Sequence, residues 1–465
     1  MKEGHGMGSD DGVDSPVIMP RYPEDSGSHP ESTSTADSTS ADAGETARLL
    51  AGPRGFRDAA ARLTAILVRQ YGTGQLDRIE DAAQDAFVAA ARSWPVAGAP
   101  RDAMAWLVQV ARRRYLDRLR AEHRLEPSPD TVAAALASAV SPPDVDTDDQ
   151  LEIAPLADDQ LRLLFLCCHP ALSAESRVAL TLKCVAQFSV AEIARLLRAD
   201  STAVAQRLVR AKRTLRGVRT SFVVPSPAEL PNRLDDVHAV CYAIFAEGHL
   251  ATDGELLVRP ELCGEAIHLV YQLLRWPVTN TPAGQALLAL MLLNAARLST
   301  RSADGTPVPL AEQDRSRWDR ASIARGVRAF ARSAAGDHLS RYHVEAEIAM
   351  AHATAPTFAD TPWRMIVDAY DRLLRIAPSP VAQLARLMAI AESGEVTTAL
   401  AEAHVLPETV RRWPEWQATV ATLLTRAGCS DEARTYWEAA LAAPLPDPVR
   451  RYYRRVSGIG EPGSG

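Results

Sequence analysis

The sequence predicts an all-α fold, with two small helical domains followed by a longer helical extension. Three observations carry this. Apolar residues recur at three- and four-residue spacings in almost every segment from Gly55 onward. From 232 to about 457 no stretch alternates apolar and polar residues convincingly enough for a strand. Proline-rich and polar breaks divide the helical pattern into blocks. A chain of 465 residues is also too long for one ordinary core, so two to four domains are expected. The 47% hydrophobic and 23% charged content describes a soluble globular protein.

Residues 1–45 hold ten acidic groups against Lys2 and Arg21 and are rich in Ser, Thr and Gly. Such a tail buries too little apolar surface to offset its ordering entropy and is expected to be disordered. Residues 46–125 read as three helices, "FRDAAARLTAILVRQY", "RIEDAAQDAFVAAARSW" and "DAMAWLVQVARRRYLDRLRAEHR", with fourteen arginines against eight acids. Residues 126–155 read as an acidic linker, with room for a short helix across "TVAAALASAV". A second helical block spans 156–222, with breaks expected at Pro170, Phe188-Ser189 and Asp200-Ser201. Pro225, Pro227 and Pro231 mark the next boundary, and 232–457 is helical throughout. In this last part Gly394 and Gly428 lie 34 residues apart in similar settings. Gly428, Ala433, Trp437 and Ala440 fall at the glycine, small, aromatic and small positions of a tetratricopeptide helix pair, so such repeats are expected over about 363–445.

The net charge of −7 conceals two basic blocks, each at +6, in residues 46–125 and 189–219. A phosphate backbone responds to local charge of this kind. Three motifs follow. In "IEDAAQDAFVAAARSW" Glu80, Asp81, Gln84 and Asp85 share one helix face, which is either a solvated acidic face or a docking face for a basic partner. In "AWLVQVARRRYLDRLR" Trp106, Leu107, Val110, Tyr115 and Leu119 supply a core stripe, while Arg112, Arg113, Arg114, Arg118 and Arg120 cover the remaining circumference. Basic groups among aromatics suit phosphate contact and base stacking, although a solvated basic helix would look the same. "SVAEIARLLRADSTAVAQRLVRAKRTLR" (189–216) reads as a helix-turn-helix. Ser201 and Thr202 would cap its second helix, Val204, Leu208 and Leu215 would face the core, and Gln206, Arg207, Arg210 and Arg213 would face outward.

In that order, the three motifs resemble the bacterial RNA polymerase sigma factors of the extracytoplasmic-function (ECF) type. The resemblance implies that Asp81, Gln84, Asp85 and Phe87 bind core polymerase at the β′ clamp helices. It assigns Trp106, Arg112, Arg113, Arg114 and Arg118 to the −10 promoter element. It assigns Ser201, Thr202, Gln206, Arg207, Arg210 and Arg213 to the −35 element, with the β flap as a further polymerase contact. "LFLCCHPALS", "YAIFAEGHL", "LLALMLLNAARL" and "PLAEQDRSRWDR" resemble the subgroup with a long C-terminal tetratricopeptide-like extension. Ala246 and His249 depart from the Asn and Tyr of that pattern. An unidentified protein or ligand is expected at the extension. A helix-turn-helix regulator with a tetratricopeptide sensor, acting without polymerase, is the alternative, and it leaves 79–120 unexplained. An enzyme within 232–350 is the third reading, without any acid-base or metal constellation to support it.

No cofactor is expected. "CCH" at 167–169 lacks a second ligand pair at zinc spacing and follows apolar "LLFL", which places it in a buried helix. "EQDRSRWDR" reads as an ion-pair network. Neither a run of about 18 uncharged apolar residues nor a secretory leader is seen, and six cysteines in so long a chain read as reduced thiols. A cytoplasmic location is therefore expected, with no membrane partner.

Overall fold

A computed structural model describes residues 53–100, 102–125, 159–197, 199–218, 222, 225–249 and 258–459. The acidic tail 1–45 and the acidic linker 126–155 lie outside these residues. The architecture is helical, as the apolar periodicity predicts.

The first body is built from α1 (Pro53–Tyr71), α2 (Leu76–Ala97) and α3 (Ala103–Leu125). Ala82, Ala83, Ala86 and Ala90 line the buried side of α2. These small side chains let α3 pack closely, bringing in Leu107, Ala111 and Tyr115. Tyr71 stacks on Tyr115 with ring centroids 3.9 Å apart, tying the end of α1 to α3.

The second body holds α4 (Asp159–Cys167), α5 (Ala174–Cys184), α6 (Val190–Leu196) and α7 (Ser201–Gly217). The three expected breaks fall between these helices. Ser189 and Glu192 form a capping box on α6, each satisfying a backbone N–H of the other's end. The cap of α7 differs from expectation. Asp200, not Ser201 or Thr202, accepts from the backbone N–H groups of Thr202 and Ala203, because its side chain stands just outside the first turn. Cys167, Cys168 and Cys184 are all buried, as the apolar run before the first two predicts.

The extension begins with α8 (Leu230–His249), α9 (Pro260–Leu274) and α10 (Pro282–Ala295). Helix α10 is apolar on every side and buried on nearly every side, the mark of a central helix. Around it pack α11 (Arg320–Ser333) and α12 (Arg341–Thr354). Between α10 and α11 lies a feature that helical periodicity does not announce, a two-residue hairpin of β1 (Ser302–Ala303) and β2 (Thr306–Pro307). Its turn residues Asp304 and Gly305 both have positive φ, which an Asp-Gly pair accommodates readily. The expected ion-pair network of "EQDRSRWDR" is largely a set of caps. Asp314 accepts from Ser316 N–H, and Asp319 accepts from the Ala321 and Ser322 N–H groups at the start of α11.

The last part runs through α13 (Trp363–Ile376), α14 (Pro380–Glu392), α15 (Val396–His404), α16 (Glu408–Arg411), α17 (Pro414–Arg426), α18 (Ser430–Ala442) and α19 (Asp447–Ser457). The pairs α14–α15 and α17–α18 are helical hairpins whose first residues are Pro380 and Pro414, 34 residues apart. Gly394 and Gly428 make the two turns at φ 97° and 81°, where a Cβ would meet nothing within 4 Å. Glycine is needed there for its backbone rather than for space.

His238 of α8 is buried, and neither ring nitrogen has a hydrogen-bond partner. Burial alone pulls its pKa down to about 4. The imidazole is therefore neutral in the fold and takes up a proton only on unfolding below about pH 6.5. Since the unfolded chain binds more protons, stability falls as pH drops from 6.5 toward 4. At pH 5 this one group is expected to cost about 2 kcal/mol relative to pH 7.5. Urea unfolding at the two pH values measures the loss, and His238→Leu should reduce it.

Candidate functional site

The acidic face of α2 and the basic face of α3 come together in the first body. Arg118 reaches from α3 to both Asp81 and Asp85, at 2.8 Å from the latter. Thus a residue that the resemblance assigns to DNA is held by two residues it assigns to polymerase. Gln84 stays exposed. Phe87 is half-buried against Phe56, ring centroids 4.5 Å apart. On α3, Arg112, Arg113 and Arg114 are exposed, and Trp106 packs edge-on to Trp94 at 5.5 Å. Trp106 is therefore braced, with only part of its surface open to a ligand.

Helix α7 buries Val204, Leu208, Ala211 and Leu215. The 3.6-residue period then turns Thr202, Gln206, Arg210 and Arg213 outward, where all are exposed, with Arg207 half-exposed beside them, and Ser201 is exposed because it begins the helix. Five of these six residues form one polar and basic stripe, and Ser201 stands at its N-terminal end, which favours anions.

A further set of residues was not singled out from the sequence. Lys212 sits on the buried side of α7, its side chain only 8% exposed. Its ammonium lies 2.8 Å from Asp77 and 3.0 Å from Glu80, both on α2. Burial opposes the charge, but Glu80 and the Asp77 hydrogen bond outweigh it and raise the Lys212 pKa. Cys184 Sγ lies 3.2 Å from the same Glu80. Arg216 donates to the Gly74 carbonyl at 3.0 Å, and Arg57 of α1 pairs with Glu192 at 3.0 Å while lying 4.0 Å above the Phe188 ring. The two bodies are thus interlocked, and a cleft between them is lined by Phe56, Gln84, Phe87 and Val88 on one side and Lys183, Gln187 and Glu192 on the other. The available signal was Lys212 recurring in register with the apolar positions of α7, the wrong place for a solvated lysine.

The extension reaches both bodies. Arg177 of α5 pairs with Asp236 at 2.5 Å, Arg233 donates to the Phe165 carbonyl at 2.6 Å, and Arg259 donates to the Leu196 carbonyl. His268 of α9 lies 3.1 Å from Asp58 of α1.

Residues 56–125 match the family described as Sigma-70 region 2, and 162–215 match Sigma-70, region 4. Residues 233–334 match a family of unknown function, DUF6596. An uncharacterized protein of Rhizobium meliloti (strain 1021) is 35% identical over 381 residues, covering 82% of this chain and 89% of that protein. No solved structure matches. No helix among the described residues is long and apolar enough to cross a membrane.

Proposed function

Because this chain belongs to the sigma-70 family, carrying its regions 2 and 4, we propose that it is an ECF-type sigma factor whose C-terminal extension governs when those regions can act. Sigma-70 proteins bind RNA polymerase and promoter DNA and are initiation factors rather than enzymes. The finer assignments are ours. Asp81, Gln84, Asp85 and Phe87 dock on the β′ clamp helices. Trp106 and Arg112, Arg113 and Arg114 open and hold the −10 element, with Arg118 released to join them when its carboxylate partners turn to polymerase. The α7 stripe of Thr202, Gln206, Arg207, Arg210 and Arg213, with Ser201 at its N-terminal end, enters the −35 major groove, with arginines on phosphates. Helices α13 to α18 form tetratricopeptide-like repeats, with a face for a protein or ligand.

The observation that carries the regulatory part is the interlock of regions 2 and 4. The two promoter elements are about 25 base pairs apart by their names, or about 85 Å of duplex. Two compact domains of this size are each about 27 Å across, so in contact they span about 55 Å. The packed arrangement cannot meet both elements, and opening must precede initiation. The extension grips both bodies through Asp236, Arg233, Arg259 and His268, so its contacts bias that opening.

Run-off transcription on a library of bacterial promoter fragments tests the function. Core polymerase with the full chain should give discrete transcripts that core polymerase alone does not. Identical products with and without the chain would contradict the sigma reading.

A further inference from the structure

We propose that the extension carries a binding site for a small oxyanion-bearing ligand, formed by Arg297, Arg301 and Arg315 with His249 and His352. This inference is independent of the sigma reading. Arg297 and Arg301 flank the single turn Leu298–Thr300 that follows α10, and Arg315 opens the turn Arg315–Arg317. The two loops are locked together. Trp318 Nε1–H donates to Thr300 Oγ1 at 3.0 Å, and the Asp319 N–H donates to the Ala296 carbonyl at 2.9 Å. His249 from the end of α8 and His352 from the end of α12 complete the cluster.

Among the described residues its charge has no carboxylate partner. Arg301 Nη1 lies 2.8 Å from His249 Nε2, a contact that holds the imidazole neutral as an acceptor. Arg297 donates to Asn294 Oδ1 at 3.2 Å, and Arg315 donates to the carbonyls of His352 and Ala355 at 2.7 and 2.8 Å. Among the described residues none of these three guanidiniums hydrogen-bonds a carboxylate. Asp360 is the carboxylate nearest in effect to Arg315, and it is exposed and accepts the Thr357 hydroxyl. Glu345 acts on the neighbouring Tyr370 but is held by Arg341 and Tyr242. Several other buried or half-buried arginines of the extension do have carboxylate partners: Arg259 has Glu247, Arg372 has Glu347, and Arg386 has Asp371 and Glu402.

Donors are also left over. Arg301 Nε, Arg315 Nη2 and His352 Nδ1 are buried and without a hydrogen-bond partner. Burial, then mutual repulsion, lowers Arg297 to about 9. Burial likewise lowers Arg301 to about 10 and, with the repulsion of Arg297 and Arg315, His352 to about 4. Buried cations without an anionic partner are costly unless something anionic joins them. A carboxylate or phosphoryl group accepts forked hydrogen bonds from guanidinium and supplies the missing charge. The five residues keep only partial surface exposure and these donor atoms are buried, so binding requires the side chains to turn toward solvent.

Thermal unfolding of the full chain in inorganic phosphate, sulfate or malonate, against chloride at equal ionic strength, tests the site. The midpoint should rise saturably with at least one oxyanion, and the pattern among the three distinguishes phosphoryl from carboxylate ligands. Arg301→Gln should weaken that response about tenfold or more. Without oxyanion, the same variant should be at least as stable as the parent, because a cation without a counterion has been removed, whereas loss of a merely structural arginine lowers stability. Arg364→Gln, a substitution at an arginine whose side chain is 84% exposed, should respond like the parent. The proposal is overturned if no oxyanion shifts the parent, or if Arg301→Gln responds equally. Equilibrium dialysis against radiolabelled phosphate reads the binding directly, without depending on the unfolding reaction.

Discussion

Lys212→Met is expected to free region 4 from region 2. The ammonium it removes is 8% exposed, and Glu80, its closer companion in burial, is 12% exposed. Without Lys212, Glu80 keeps, among the described residues, the Cys184 thiol as its cross-domain partner, a weak donor for a buried carboxylate. Removing one member of a buried pair costs about 3–5 kcal/mol. Asp77, 56% exposed, adds little to this because solvent screens it. A loss of about 3 kcal/mol shifts the closed-to-open ratio by about two orders of magnitude. The raised Lys212 pKa places this contact at full strength below the ordinary lysine value, and it weakens only as pH climbs through the higher folded value. Small-angle scattering should show a larger radius of gyration for the variant at pH 7.5, with unchanged helix content. The double variant Lys212→Met/Glu80→Leu should recover much of the compactness, since it leaves no buried charge unpaired. A single variant as compact as the parent would refute the latch.

The fold was legible because its signals are local. Apolar periodicity sets each helix, and Gly394 and Gly428 expose the repeat through the one backbone conformation their turns require. The outward stripe of α7 was legible for the same reason, since Val204, Leu208 and Leu215 fix the buried side. What escaped the sequence is tertiary. Lys212 is more than a hundred residues from Asp77 and Glu80, so its register with the apolar positions of α7 shows that it is buried but not what it pairs with. The resemblance assigns Arg118 to DNA, and no local pattern shows that its partners in the fold, Asp81 and Asp85, lie on another helix. The Asp-Gly hairpin and the Asp200 cap were readable and were missed, one under an expectation of unbroken helix, the other by a single residue.

The second large effect is expected from Asp81→Arg/Asp85→Arg. In the parent these carboxylates share Arg118, so the face keeps only a modest negative field. Reversal would place three guanidiniums where a basic partner should dock, and juxtaposed like charges cost several kcal/mol across an interface. Core affinity should fall by at least about 100-fold. The milder Asp81→Asn/Asp85→Asn, which keeps side-chain size, should lose less, and circular dichroism should show all three proteins equally helical. The measurement that bears most directly on the whole account is co-elution of the full chain with bacterial core polymerase at low and moderate salt. The account predicts a complex for the parent, a tighter one for Lys212→Met, and none for Asp81→Arg/Asp85→Arg. A folded parent that never co-elutes, or a charge-reversed variant that binds as well as the parent, would contradict it.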